Sequence, residues 1–488
     1  EDRGSSTSSF LYNAQNFIPF TIPSIQSLSI QIPDPLCLAL SSPSLQLNFM
    51  DGERKAQVWS VLACITELHL TEKNQPLLAL IGSCLAVFFS GALTFGFPGA
   101  MAPFWQKMFG VGAGATGLII FFMLAAVGVF MFLVGRWQER WGLRAMMALG
   151  VALTAIGSVL ASQAAGISTI YVWAALNGTA SCFLYVPALT LVQWCYPHKR
   201  GLAAGAVSMV FGLAAAVMSP LFGLMLSAWG YEAMNLALAA LTLAVGLLGA
   251  YLARPPQACL EAAAARKSPA KAAEGADPRA KQSAGERANT VPARSYTVSQ
   301  SLHTRSFWML WLTWTLAGAA GVSMTILATG YGLSLGLPLS SAVLLLTAFN
   351  LTNGISRLAS GILSDRYGRS RVMSLAFLAS GLAYLFLPQA EALASSALLA
   401  AVVGFSFGTL FSVSAPLVAD CFGLEHFGAI FGLAFAAYGF VSGPLGPTLS
   451  GYILDITGGN YSLVFFYLSL FSLLASLCIR QVLPPAGS

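Results

Sequence analysis

The sequence predicts an all-α membrane protein of twelve transmembrane helices in two parallel six-helix repeats. Three observations carry that expectation. Of the 488 residues, 57% are hydrophobic and only 9% are charged, whereas a soluble domain carries about 25% charged residues to cover its surface. The chain holds twelve apolar stretches, each long enough to cross a hydrocarbon core of about 30 Å. Two sets of motif residues recur at nearly one offset. The same composition excludes a disordered chain, a collagen-like chain and a disulfide scaffold.

Taken in order, residues 1–75 form an N-terminal extension that stands apart. Residues 1–49 hold ten serines and four charged residues, and the first methionine is Met50. A fragment, a processed product and a mis-set start at Met50 are all open readings, with a Ser-rich targeting segment as the alternative. The first six-helix bundle is expected over 76–253, with spans centred on 77–105, 113–135, 145–165, 168–193, 201–226 and 231–253. Residues 254–303 read as a linker rich in Ala, Pro, Ser, Lys and Arg. It carries eight basic and four acidic residues, without apolar periodicity. A solvated or partly helical state is expected, with contact to anionic lipid as the alternative. The second bundle is expected over 304–482, with spans at 306–333, 340–363, 371–388, 393–418, 428–453 and 461–480. Residues 483–488 form a tail.

Loop charge alternates. Arg136, Arg140 and Arg144, then His198, Lys199 and Arg200, then the linker, then Arg366, Arg369 and Arg371 lie on one side. Lys107, Glu232, Glu391 and Asp455 lie on the other. The positive-inside rule places the first set, and both ends of the helical region, in the cytoplasm. A multi-pass protein of the plasma membrane is expected. The eight cysteines form no CxxC pair and no His/Cys cluster with zinc spacing, so neither a metal nor another cofactor is expected.

The repeat fixes the architecture. Gly201, Gly205, Gly212 and Pro220 recur at one constant offset as Gly428, Gly432, Gly439 and Pro447. Gly135, Glu139, Arg140 and Gly142 recur, at an offset shorter by a single position, as Gly361, Asp365, Arg366 and Gly368. Six spans separate the copies, so both halves share one orientation, and a site is expected between them near the midplane. The glycines let neighbouring helices approach closely. Static packing and packing at a moving seam are both open for them. The prolines can bend the ends of their helices.

The loops Gly135-Arg136-Trp137-Gln138-Glu139-Arg140-Trp141-Gly142-Leu143-Arg144 and Gly361-Ile362-Leu363-Ser364-Asp365-Arg366-Tyr367-Gly368-Arg369 are similar to the G-x-x-x-[DE]-R-x-G-[RK] signature of the major facilitator superfamily. The resemblance covers essentially residues 76–482. It implies the major facilitator fold and an alternating-access transporter. It also implies a cytoplasmic gate at Gly135, Glu139, Arg140, Gly361, Asp365 and Arg366, whose acids and arginines latch neighbouring helix ends. A purely topogenic basic loop is the alternative.

Within the spans, away from their ends, one charge stands out. Arg357 lies eight residues before Asp365, about 12 Å inward along a helix and close to the midplane of a ~30 Å core. No Asp or Glu sits at comparable depth. A buried charge is costly and usually functional, and a guanidinium offers a planar fork to a carboxylate. The missing partner is therefore read as a substrate anion. Snorkelling to the interface, bonding to backbone carbonyls and pure gating are the alternatives. With no titratable acid at depth, and His198, His303 and His426 in loops, exchange is simpler than proton coupling. An empty carrier would have to occlude a bare arginine.

The runs Tyr185-Val186-Pro187, Gln193 to Gly205, Asn353-Gly354-Ile355-Ser356-Arg357 and Pro416 to Gly423 resemble the oxalate:formate antiporter branch, and more distantly the monocarboxylate transporters. The resemblance implies that Arg357 faces a carboxylate. Tyr438 stands where oxalate carriers place a lysine, which argues for a monoanion or for one carboxylate plus a polar group. Asn353 stands where monocarboxylate transporters place an acid, and span 1 reads Gly96-Phe97-Pro98-Gly99 in place of their signature. Proton coupling is thereby disfavoured. Asn353, Tyr438, Tyr185, Tyr331 and Asn350 are the further substrate-binding candidates, each with helix packing as its other reading.

The expected function is thus secondary transport of small organic anions of monocarboxylate or oxalate/formate type. A carrier of a drug or neutral metabolite, with Arg357 structural, is the alternative. A non-transporting sensor on the same fold is a third reading. No nucleophile–base pair suggests an enzyme, and no nucleic-acid partner is expected. The expected partners are the substrate anion and the bilayer.

Overall fold

The computed structural model describes residues 74–196, 199–255, 296–423 and 426–484. The N-terminal extension before residue 74 and linker residues 256–295 lie outside them. The described residues are almost wholly helical. Twelve membrane-length helices follow in chain order: α1 (Gln75–Phe109), α2 (Ala113–Trp141), α3 (Leu143–Ser162), α4 (Ile167–Cys195), α5 (200–229), α6 (231–252), α7 (Arg305–Ser334), α8 (Leu339–Tyr367), α9 (Arg369–Phe386), α10 (Leu393–Phe422), α11 (Phe427–Thr457) and α12 (Tyr461–Arg480). All twelve expected spans are recovered. Helices α5 and α6 run together and are divided by Gly230, at φ 80° and ψ 173°. That left-handed backbone suits a residue without Cβ. The repeat-equivalent Gly142 and Gly368, at φ 81° and 89°, make the same kind of turn between α2 and α3 and between α8 and α9. This is the physical reason for the last glycine of each signature loop. The end of the linker is ordered: Thr297 and Gln300 form a capping box on a short helix, Val298–Leu302, and the Tyr296 amide donates to the Phe422 carbonyl at 2.9 Å.

Lipid tails are as apolar as leucine, so polar and small residues hold membrane helices together. Between α9 and α12, Ser374 and Ser476 pair at 2.9 Å and Ser469 donates to the Gly381 carbonyl at 2.7 Å. Between α1 and α6, the Trp105 indole donates to the Tyr231 hydroxyl at 3.0 Å.

Paired glycines make two of the crossings between the first six and last six helices. A Cβ on Gly439 of α11 would stand 2.9 Å from Gly128 Cα of α2. A Cβ on Gly212 of α5 would stand 2.9 Å from Gly354 Cα of α8. Gly354 is the repeat equivalent of Gly128, and Gly439 is that of Gly212. The two crossings are therefore copies of one another. On one side of the α2–α11 crossing, toward the loops poor in basic residues, the helices stay together. There Gly443 meets Phe121, and Gly117 meets the Pro447 carbonyl. At the end of this seam the Asp455 carboxylate accepts from the Ala113 amide at 2.7 Å and the Gly114 amide at 2.8 Å, capping α2 from α11. On the other side, toward the basic loops, the helices part. Gly135 and Gly432 lie two helical turns beyond their crossing partners, on the same helix faces, and a Cβ on either would meet nothing within 4 Å. The α2–α11 seam is closed on the bare face and splayed on the basic face, whereas at the α5–α8 seam a Cβ on Gly205 would still meet Leu358 at 3.4 Å. Two π-helical turns, Tyr438–Ser442 and Pro444–Thr448, interrupt α11 at this crossing.

Candidate functional site

Among the described residues Arg357 is the one buried charged side chain, at 4% exposure. Helix α8 carries it on a stripe with Asn350 and Asn353, spaced seven and four positions before it. This spacing returns to one helix face. Three aromatic rings surround the guanidinium. Its carbon lies 4.8 Å from the Phe411 ring centre, 5.5 Å from Phe95 and 5.9 Å from Phe211. Tyr185 and Tyr438 are two phenols close enough to feel the charge. The rings pack on one another: Tyr185 on Phe211 at 4.9 Å and Phe411 on Tyr438 at 5.3 Å. Helices α1, α4 and α5 supply one side of this cage, and α8, α10 and α11 the other.

The cage repeats the internal symmetry. The repeat offset maps Tyr185 onto Phe411 and Phe211 onto Tyr438. Each equivalent pair contains one phenol and one phenyl ring. The cation has no copy, since Met131 occupies its equivalent place in α2.

Hydrogen bonding is left incomplete here. Arg357 Nε and Nη2, Tyr438 Oη and both amide atoms of Asn353 are buried without a protein partner. Nε and Nη2 form one edge of the guanidinium plane, the edge that a carboxylate grips with both oxygens. The rings attract the positive charge through their faces, at about 0.5–2 kcal/mol each. They leave the in-plane N–H groups unpaired, and each buried unpaired group costs about 1–3 kcal/mol.

The candidates separate on this geometry. Arg357, Tyr438 and Tyr185 come together, with Tyr185 also hydrogen-bonded to Ser208 Oγ at 2.7 Å. Asn353 shares the stripe. Asn350 is half used: its amide nitrogen donates to the Phe95 carbonyl at 3.3 Å between α8 and α1, while its Oδ1 is buried without a protein partner. Tyr331 lies apart from the cage. Its hydroxyl donates to the Leu387 carbonyl at 2.6 Å, and its ring packs on Tyr461 and Phe465. Its hydroxyl is satisfied and its ring is packed at the bare-face end of α7. Reading the sequence missed Phe95, Phe211 and Phe411. The repeat offset could have found the last two, because it maps them onto Tyr438 and Tyr185.

In the signature loops, Arg140, Asp365 and Arg366 are exposed, and the Glu139 side chain is not among those described. Among the described residues the ion pair on this face is one turn further on. Arg369 Nε at the start of α9 meets the Asp420 carboxylate near the end of α10 at 2.9 Å. A separate concavity of about 340 Å³ lies on the bare face near Gln106, Thr116, Asp455 and Tyr461. It is remote from Arg357.

Twelve helices in two repeats, glycine crossings between them and an incompletely bonded polar cluster at the seam define a membrane transporter. The sequence pattern of the Major Facilitator Superfamily matches residues 83–347 and 319–488, and the chain belongs to that superfamily. It is 28% identical to the uncharacterised MFS-type transporter YhjX of Escherichia coli (strain K12), over 75% of this chain and 85% of that protein. It is 23% identical to the oxalate:formate antiporter of Oxalobacter formigenes, over 72% and 78%. It is 24% identical to human monocarboxylate transporter 2, over 76% and 79%. Among solved structures, a mutant form of the nucleoside transporter NupG is similar at a TM-score of 0.63, with 15% identity over 84% of this chain and 100% of that one. A bacterial homologue of the human lysosomal transporter Spinster, in an inward-facing and occupied conformation, is similar at 0.61, with 13% identity over 83% and 96%.

Proposed function

We propose that the chain is a secondary transporter of small organic anions, of monocarboxylate or oxalate/formate type, working by alternating access in exchange mode. One observation carries this reading: the free Nε/Nη2 edge of a buried, acid-less Arg357. A carboxylate there would complete the guanidinium's bonds and neutralise its charge. The Tyr438 hydroxyl stands ready as a second donor. The relatives named for oxalate, formate and monocarboxylates support the same substrate class. One cation in a phenyl-rich cage favours a single carboxylate over a dianion. Exchange follows from energy: returning empty would occlude a bare cation, at several kcal/mol. The basic loops would face the cytoplasm of a plasma-membrane protein, making the splayed face the inner one.

The test is exchange of labelled oxalate, formate, lactate and pyruvate in proteoliposomes, with Arg357→Gln and Arg357→Lys beside the wild type. Loss of a buried charge-assisted bidentate contact costs about 2–5 kcal/mol, so Arg357→Gln should abolish measurable flux. Unchanged flux would refute the reading. Efflux of preloaded anion into anion-free medium at the full exchange rate would refute the exchange mode.

The three rings around Arg357 favour a second reading, in which they hold the cation as a structural post in a carrier of neutral solutes. Flux of an uncharged solute that survives Arg357→Gln would establish it.

A further inference from the structure

On the basic face, away from the central site, a shallow groove of about 290 Å³ runs between α3 and α6. Arg144, Ala145, Ala148, Leu247, Ala250 and Tyr251 line it. Arg144 lines the groove, and Arg254 lies over the same lining ring, Tyr251. The Arg254 guanidinium carbon lies 4.5 Å from the Tyr251 ring centre, and that of Arg144 lies 5.8 Å away. The two cations are close enough to repel each other. Arg144 Nε makes a long bond, 3.4 Å, to the Ala250 carbonyl, which holds the side chain over the groove. Among the described residues neither arginine has a carboxylate within ion-pair distance. Arg144 sits in the first turn of α3, which contains no acid, so the positive end of the helix adds to the field. Below the arginines the groove is apolar and open: Leu247 is 45% exposed, and Ala145 is exposed.

We propose that this groove binds one anionic phospholipid, with its headgroup phosphate between Arg144 and Arg254 and an acyl chain along Ala145, Ala148 and Leu247. The charge arrangement selects this occupant. Two guanidiniums without an acid, clamped on one ring, make a fork for phosphate, and basic pockets between transmembrane helices at the membrane surface take anionic headgroups. The apolar floor selects a lipid over a free anion. The corresponding edge of the other half lacks the device. There Arg480 Nε already donates to Ser374 Oγ at 2.8 Å, and serines close the α9–α12 contact.

The purified full chain is put in mixed phosphatidylglycerol/phosphatidylcholine nanodiscs, and retained lipid is read by native mass spectrometry on release. Wild type should retain one phosphatidylglycerol in preference to phosphatidylcholine. The double substitution Arg144→Gln/Arg254→Gln should lower that retention about thirtyfold, and Arg371→Gln should leave it unchanged. Ala148→Trp, which fills the groove and keeps both arginines, should also lower retention. Thermal melting in pure phosphatidylcholine controls for folding of each variant. Equal retention by wild type and the double variant would overturn the proposal. So would full retention by Ala148→Trp. Displacement of the lipid by millimolar inorganic phosphate would also overturn it, marking a free-anion site instead.

Discussion

Replacing Asp455 by alanine should open the bare face. Its carboxylate makes two bonds to the first amides of α2, at 2.7 and 2.8 Å, and these bonds join α11 to α2 across the two halves. Both bonds exist only while the helix ends touch, so they weigh on the closed state alone. Losing a helix-capping side chain costs about 0.5–2 kcal/mol, and losing an anion at a helix N-terminus costs about 0.3–1 kcal/mol. The site is partly wet, and the freed amides regain water, so the net loss is about 1–2 kcal/mol, which shifts the open-to-closed ratio roughly fivefold to thirtyfold. Thr448 reports it. It is 8% exposed and packs on Gly117, inside the seam that Asp455 closes. In a cysteine-free background, Thr448→Cys should react with a membrane-impermeant maleimide from the bare side in proportion to the open population. Asp455→Ala should raise that rate about fivefold to thirtyfold, and Asp455→Asn, which keeps one acceptor, should raise it less. An unchanged rate would refute the latch.

Gly439→Ala pushes a methyl to 2.9 Å from Gly128 Cα; overpacking of this kind costs about 1–3 kcal/mol, so flux should fall while helical content by circular dichroism is kept. Gly212→Ala places its methyl 3.2 Å from Arg357 Nε, so it should raise the KM for the anion as well as slow flux. Tyr438→Phe removes a hydroxyl with no protein partner, so thermal stability should hold or rise slightly, while anion affinity falls about tenfold if the hydroxyl bonds the substrate. Asp420→Asn breaks a half-exposed pair with Arg369; the melting temperature should barely move, since such pairs contribute about 0–1 kcal/mol.

The spans and the repeat were legible because each residue reports its own medium. Apolar runs must lie in lipid, and a glycine pair must let backbones meet. Arg357 was legible for the converse reason, since an isolated charge in an apolar run has few explanations. What escaped was chemistry that belongs to pairs. Phe95, Phe211 and Phe411 are ordinary apolar residues in membrane helices, and nothing local marks them as ring partners of a cation. Tyr331 had the same local appearance as Tyr438, yet a carbonyl of a neighbouring segment satisfies one phenol and leaves the other unpaired. Asp455 read as a stray acid in a loop, because its partners, Ala113 and Gly114, belong to the far end of the chain.

In the proposed alternating-access cycle, the position of the Gly128–Gly439 crossing sets the gearing of the molecule. Gly128 lies near the middle of α2, which runs from Ala113 to Trp141, so the arms on either side are each about 20 Å long. A lever divided at its middle has no mechanical advantage. Each ångström of separation gained at one end is given up at the other, and the two ends cannot be wide at once. The second crossing, Gly212–Gly354, sits one helical turn from Arg357. In the proposed carrier, an anion held at Arg357 would lie near the axle, where tilting the arms changes its surroundings far more than its position.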